Sequence, residues 1–189
     1  MKALAIVGSQ RKNGNTEIVA RHTLKAIEEE GLKTELISLS GLDIKGCNDC
    51  EVCKKEERCS INDDLWPIYI KMKEADAIIL ASPVYFGSAT PELKALMDRV
   101  GCVAYWNNGI FEGKVGGPLV VAERSGQQFT IAQINFWFHI LGFFIPGSKI
   151  YWNLAFGLKK GDVETDEWGL RSMRDFGKNV AFLVKKLKA

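Results

Sequence analysis

Short apolar runs alternate with amphipathic segments along the whole chain. The runs have the length and composition of buried strands, whereas the longer segments carry apolar residues at helical spacing among charged ones. The pattern predicts strands at residues 3–7, 34–39, 77–81, 115–122 and 149–154. It predicts helices at residues 15–30, from 63 or 64 to 74, from 90 onward, at 127–141 and at 166–187. Thr90, followed by proline and glutamate, is typical of a helix N-cap.

Strands that alternate with helices predict an α/β fold, in which a parallel sheet carries helices on both faces. Five strands in 189 residues suit a flavodoxin-like three-layer sandwich with strand order 2-1-3-4-5. Ligands of such sheets bind at the carboxyl ends of the strands. Three loops should meet at that edge, namely Gly8–Thr16, Ser82–Thr90 and Glu123–Phe129.

Length and charge narrow the function classes. The chain predicts a single domain over residues 1–189, with a cysteine-rich loop at about 46–62. Its 47% hydrophobic residues and formal net charge of +2 are typical of an ordinary globular protein, so no nucleic-acid partner is predicted. No run approaches the roughly eighteen apolar residues of a membrane span, and Met1-Lys2 leads into a strand instead of a signal peptide. We therefore expect a cytoplasmic protein with no membrane partner.

Four of the five cysteines fall in the loop after the second predicted strand. Cys47, Cys50 and Cys53 follow one another with two residues between them, and Cys59 closes the run. Thiolates in this arrangement suit a 4Fe-4S cluster, although Ser60 stands where the bacterial ferredoxin run has a proline. Structural zinc sites usually hold two cysteine pairs farther apart. Zinc is therefore the second interpretation, and ordinary thiols or a disulfide the third.

The first loop has the composition of a phosphate site. It joins a strand to a helix start, where backbone N–H groups and the helix dipole favour an anion. Ser9, Asn15 and Thr16 offer hydrogen-bond donors, and Arg11 offers positive charge. The loop matches neither a Walker A motif nor G-x-G-x-x-G, which argues against a nucleoside triphosphate and a dinucleotide. The alternative is a polar turn in which Asn15 is an ordinary N-cap.

The second and third loops suit a planar ring. Tyr85 and Phe86 can wall an aromatic ligand, while the backbone near Gly87 contacts its polar edge. Arg124 could stabilise negative charge on a reduced ring. The alternatives are packing of the two aromatic residues under the sheet and a plain surface position for the arginine.

Together these motifs resemble those of the iron-sulfur flavoproteins, a branch of the flavodoxin-like NAD(P)H-dependent FMN reductases. The resemblance rests on Gly8-Ser-x-Arg11, Gly14-Asn-Thr16, Ser82–Gly87, Arg124-x-Gly126-Gln127 and the cysteine run. It implies that FMN binds with its phosphate in the first loop and its ring against the other two, and that the cysteine run holds a 4Fe-4S cluster. The residues implied for FMN are Ser9, Arg11, Asn15, Thr16, Pro83, Val84, Tyr85, Phe86, Gly87, Arg124 and Gly126. Those implied for the cluster are Cys47, Cys50, Cys53 and Cys59.

The resemblance also implies a homodimer or homotetramer, in which the cluster of one subunit approaches the flavin of another. The aromatic segment 136–144 suits such an interface as well as a core. The preferred hypothesis is electron transfer between a ferredoxin-like or other redox carrier and an acceptor, through cluster and flavin. The alternatives are an NAD(P)H-dependent FMN or quinone reductase without a cluster, with NAD(P)H as a transient donor, and a non-enzymatic redox sensor. No catalytic side chain is predicted, because His22 and His139 fit structural positions better.

Overall fold

A computed structural model describes all residues from Met1 to Ala189. One parallel sheet of five strands has the order β2-β1-β3-β4-β5, which confirms the predicted flavodoxin-like order. The strands are β1 (Lys2–Val7), β2 (Lys33–Ser38), β3 (Ala77–Pro83), β4 (Val115–Ala122) and β5 (Leu154–Phe156). The helices are α1 (Asn15–Glu29), α2 (Leu65–Glu74), α3 (Pro91–Trp106), α4 (Gln127–Ile140) and α5 (Glu167–Lys188). None of these helices is long and apolar enough to cross a membrane.

The sheet separates two apolar cores, because alternate side chains of each strand point to opposite faces. Leu4, Ile6 and Ile78 lie on the face covered by α2, α3 and α4. Ala5 and Ile79 lie on the face covered by α1 and α5. Central strands buried on both faces explain the continuous apolar runs of the sequence.

Thr90 joins the start of α3 to the end of β1. Its hydroxyl donates to the Gly8 carbonyl oxygen at 2.8 Å and caps the helix by accepting from the Leu93 N–H. Gly8 is closely packed here, since a Cβ added to it would lie 2.7 Å from the Cβ of Leu93. The first and second loops are therefore fixed side by side at the carboxyl edge of the sheet.

The fifth strand lies later in the chain than predicted. Residues 149–154 alternate well enough to suggest a strand, but β5 covers only Leu154–Phe156. The reason is the carboxylate of Asp175 in α5, which accepts from the Ser148 hydroxyl and the Lys149 N–H. This contact binds the segment to α5 instead of β4, and the ladder begins only where β4 reaches Leu154.

Candidate functional site

A cavity of about 170 Å³ opens at the carboxyl edge of the sheet. Residues from the ends of β1, β3, β4 and β5 line it, as expected for a ligand crevice in this fold. The lining residues predicted for FMN are Ser9, Arg11, Asn15, Thr16, Pro83, Val84 and Tyr85. The other lining residues are Gly14, Val121, Ala122, Glu123, Gly157, Leu158 and Lys160.

The first loop presents the start of α1 to this cavity. Gly14 is the N-cap, and no side chain accepts a hydrogen bond from the first turn. The loop folds back on itself through the Gly14 N–H, which donates to the Arg11 carbonyl oxygen at 3.0 Å. Ser9 accepts from the Arg11 N–H at 3.2 Å. The backbone N–H groups at the helix start therefore remain available to an anion, where the helix dipole favours negative charge.

Gly14, and not Asn15, is the N-cap of α1, so the alternative interpretation of Asn15 as an ordinary N-cap is wrong. The Asn15 side chain donates to the Lys159 carbonyl oxygen and accepts from the Gly161 N–H, both at 2.8 Å. Arg11 adds a third contact by donating to the Leu158 carbonyl oxygen at 3.2 Å. These bonds tie the first loop to the segment that follows β5.

That segment, residues 157–161, is part of the site but was not predicted from the sequence. It brings Lys160 to the cavity beside Arg11. The signal was present as a lysine pair followed by glycine. It was missed because only the loops after the first, third and fourth strands were expected at this edge, and the loop after the fifth strand was left out.

The second loop makes a tight turn at the rim. Tyr85 and Ser88 exchange backbone hydrogen bonds at 2.9 and 3.0 Å across the turn. The two residues between them, Phe86 and Gly87, have φ values of +50° and +78°. Phe86 is a fully exposed aromatic residue in a backbone conformation that side chains disfavour, a combination often found at ligand sites. Neither Phe86 nor Gly87 lines the cavity itself.

The third loop packs against the second. Gly126 has φ +91°, and a Cβ added there would lie 2.9 Å from a methyl group of Val84. From α4, Gln133 accepts from the Ala89 N–H at 2.9 Å and so holds the second loop as well. Arg124 points away from these contacts, is highly exposed, and lies 3.7 Å from the carboxylate of Glu123. Arg124 and Gly126 stand at the rim without lining the cavity.

The predicted metal ligands surround a second cavity of about 100 Å³. Cys47, Cys50, Cys53 and Cys59 all line it, together with Cys102 of α3. All five cysteines are free thiols, so the disulfide interpretation is wrong for this structure. Cys102, the fifth cysteine, is only partly buried and lines the same cavity as the four clustered thiols.

The thiols of this cavity differ in environment. Cys50 lies 2.8 Å from the Ser60 hydroxyl, and this hydrogen bond lowers the pKa of the thiol. Burial raises the pKa of Cys53 and of Cys102. Cys59 accepts two hydrogen bonds from the guanidinium of Arg99, both at 3.3 Å.

No three histidine, cysteine, aspartate or glutamate side chains converge as ligands of one metal ion. A single zinc ion would hold four thiolates at about 2.3 Å, whereas a cubane cluster binds each thiolate to a different iron. The four thiols surround the cavity without converging on one point.

The cysteine cavity is lined in part by α3, whereas the crevice is lined by strand ends, the loops that follow them and the start of α1. Thr90 fixes the start of α3 beside the first loop, whereas Arg99 and Cys102 line the cysteine cavity. They follow Thr90 by nine and twelve residues, which corresponds to about 14 and 18 Å along the helix axis. The cysteine cavity is therefore well separated from the crevice at the sheet edge.

Comparison with known proteins agrees with these features. The family model of NADPH-dependent FMN reductases matches residues 1–157. An iron-sulfur flavoprotein of Methanocaldococcus jannaschii is 42% identical over 194 residues, covering 100% of each chain.

Solved structures agree on the fold. RosB with bound 8-demethyl-8-formylriboflavin-5'-phosphate has a TM-score of 0.79 at 18% identity, over 100% of this chain and 80% of its own. A flavodoxin from the domain Archaea has a TM-score of 0.65 at 19% identity, over 98% of this chain and 99% of its own. The chain therefore belongs to the oxidoreductases of the NADPH-dependent FMN reductase family, in its iron-sulfur flavoprotein branch.

Proposed function

We propose that this protein binds FMN and a 4Fe-4S cluster and passes electrons between an external ferredoxin-like carrier and an acceptor. The observation that carries the proposal is the presence of two separate cavities on one chain. One lies at a sheet edge and is lined by a helix start, two cations and an aromatic residue, and the other is lined by four clustered cysteines.

The crevice suits the phosphate and the ring of FMN. Arg11, Lys160 and the open helix start supply positive charge and N–H donors for the phosphate. Tyr85 and Val84 supply an apolar wall for the ring, with Phe86 at the rim. RosB, which has this fold, was solved with a riboflavin 5'-phosphate derivative. Bound FMN would supply one- and two-electron redox chemistry, while these residues orient it.

The cysteine cavity suits a cluster through its donor set. Cys47, Cys50, Cys53 and Cys59 would hold the four irons, and thiolate is the usual protein ligand of such clusters. A bound cluster would supply single-electron transfer. Arg99 closes the inner side of the cavity, whereas Cys47 and Cys50 are exposed on the outer side.

The separation of the two cavities supports transfer between subunits. Within one chain, Arg99 and Cys102 of the cysteine cavity lie about 14 and 18 Å along α3 from Thr90, which is fixed beside the first loop. A homodimer or homotetramer that brings the cysteine loop of one subunit to the crevice of another would shorten this path. The protein would then work as a homo-oligomer.

A second candidate is an NADPH-dependent FMN reductase that works without the cluster, and the name of the matching family favours it. The exposed Phe86 and Tyr85 leave the crevice open to solvent, so a nicotinamide could stack on the flavin transiently. The chain carries no dinucleotide-binding motif of its own, so NADPH would have to bind over the flavin and not at a dedicated site.

Anaerobic purification, followed by absorption and EPR spectra and assays of FMN, iron, sulfide and zinc, tests the proposal. We expect FMN together with four irons and four sulfides per chain, the stoichiometry of a 4Fe-4S cluster. C59S should lose the iron and keep the FMN, and C102S is the matched control that should keep both. Zinc without iron would overturn the proposal. Rapid reduction by NADPH, but none by reduced ferredoxin, would favour the second candidate.

A further inference from the structure

Arg99 is the largest fully buried side chain of the protein, at 2% exposure. It projects from α3 into the base of the cysteine loop. Burying a guanidinium costs free energy unless its N–H groups have acceptors and its charge has a counter-ion. The partners of Arg99 therefore show how these needs are met.

Each N–H group of Arg99 has a partner. Its Nε and Nη2 groups donate to the Sγ of Cys59, both at 3.3 Å. Other donors reach the carbonyl oxygens of Lys45 at 3.0 Å and Ile61 at 3.2 Å. These acceptors lie just before and just after the cysteine run, so one side chain closes the loop at both ends.

Asp63 completes the arrangement. Its carboxylate pairs with Arg99 through two oxygens, and the Asp63 side chain has no exposed surface. The same carboxylate accepts from the Lys45 and Leu65 N–H groups at 2.9 and 3.2 Å. Burial alone would raise the pKa of Asp63, but Arg99 and these N–H groups hold it below its usual value. Both partners of the buried pair are therefore charged.

We propose that Arg99 is a positioning residue that orients the Cys59 thiolate and raises the reduction potential of the cluster, while the charge of Asp63 limits that rise. The inference rests on the proposed function. Hydrogen bonds to ligand sulfurs and the local net charge are among the factors that set cluster potentials. A bound cluster would exchange single electrons with the external carrier and the flavin, and no bond of Arg99 would form or break.

Two single substitutions should shift the potential in opposite directions. R99K keeps the positive charge but lacks the fork that donates twice to Cys59, so the reduced form loses stabilisation and the potential falls. D63N keeps an oxygen acceptor for Arg99 but removes the compensating negative charge, so the potential rises. We expect a change of about tenfold in the reduction equilibrium for each, which is about 59 mV for a one-electron couple.

A purely structural role for the pair predicts another pattern. Both substitutions would then loosen the loop, and both potentials would move together or not at all. If either single variant fails to fold, the double variant R99Q/D63N removes both charges and retains polar side chains. It also lacks the two donors to Cys59, so its potential should fall. D98N, which removes an exposed carboxylate next to Arg99 in the sequence, is the control. It should change the reduction equilibrium of the cluster less than twofold.

EPR-monitored redox titration of the purified holoprotein measures these potentials without reference to turnover. A fall for R99K or R99Q/D63N and a rise for D63N would support the inference. Potentials equal to wild type, or shifted in one common direction, would overturn it while leaving the proposed function intact. Absence of a cluster from the wild-type protein would overturn the proposed function itself.

Discussion

Arg11 is the residue of the first loop that is free to act on a ligand by charge. It lines the crevice and is anchored only by one contact, to the Leu158 carbonyl oxygen. We predict that R11A weakens FMN binding about tenfold, because a hydrogen bond to a charged group contributes about 1.5 kcal/mol. Titration of the cofactor-free protein, followed by quenching of FMN fluorescence, measures the change.

Arg21 provides the control for this prediction. It lies on α1, where it pairs with Glu17 at 2.7 Å, and it does not line the crevice. R21A should leave FMN affinity within twofold of wild type. Equal losses in both variants would mean that net charge, and not the position of Arg11, governs binding.

His22 gives the fold a pH dependence that is separate from the site. Burial against α5 lowers its pKa, and the positive charge of Arg174 lowers it further. The unfolded state then binds the proton more readily than the folded state does. The contribution of neutral His22 to the free energy of unfolding is therefore present above about pH 6.5 and is lost as the pH falls below it. We predict that H22Q loses less unfolding free energy than wild type between pH 7.5 and 5.5. Urea unfolding at several pH values measures this difference. The control H139Q, at an exposed position, should lose as much unfolding free energy as wild type over the same range.

At the scale of loops and helices, Gly126 joins the second loop to the third. Its φ of +91° and the 2.9 Å approach to Val84 leave no room for a side chain. We predict that G126A displaces the second loop and weakens FMN binding by about tenfold or more. The strain of a side chain at positive φ would account for about 1–2 kcal/mol of lost stability in addition.

A substitution at Gly31 serves as the control that separates the loss of stability from the loss of FMN affinity. It has a similar φ of +87°, but a Cβ there would meet nothing within 4 Å. G31A should therefore lose comparable stability and keep its FMN affinity. Thermal unfolding and FMN titration of both variants distinguish backbone strain from displacement of the loop. If G126A binds FMN as tightly as G31A does, the packing of the two loops is irrelevant to the site.

The elements differ in how far the sequence determines them. β1, β3 and β4 are buried on both faces, so a continuous apolar run identifies each of them. β5 is a short edge strand, and its position depends on Asp175, which lies about twenty residues later in the chain. The contribution of residues 157–161 to the crevice depends in turn on that position. The pairing of Arg99 with Cys59 spans 40 residues, and no local pattern reveals such a contact.

At the scale of the whole molecule, an apolar surface borders the cysteine cavity. Tyr105 and Trp106 at the end of α3, and Phe136 and Ile140 on α4, are all more than half exposed. A groove runs between the two helices, and Trp106 and Cys102 line both this groove and the cysteine cavity. Exposed aromatic residues in one patch are typical of protein interfaces. A second subunit seated there would lie next to the cluster.

We therefore predict that F136E/I140E dissociates the homo-oligomer. Burying two carboxylates without partners should weaken association at least a hundredfold, which corresponds to about 2.7 kcal/mol. Size-exclusion chromatography with light scattering measures the mass of the particle. F182E, on the exposed face of α5 in the opposite helix layer, is the matched control and should leave the mass unchanged.

If transfer between subunits is the working path, the monomeric variant should keep both cofactors while its cluster reduces the flavin more slowly in stopped-flow measurements. A monomer with unchanged flavin reduction would instead require an electron path within one chain, across the full separation along α3.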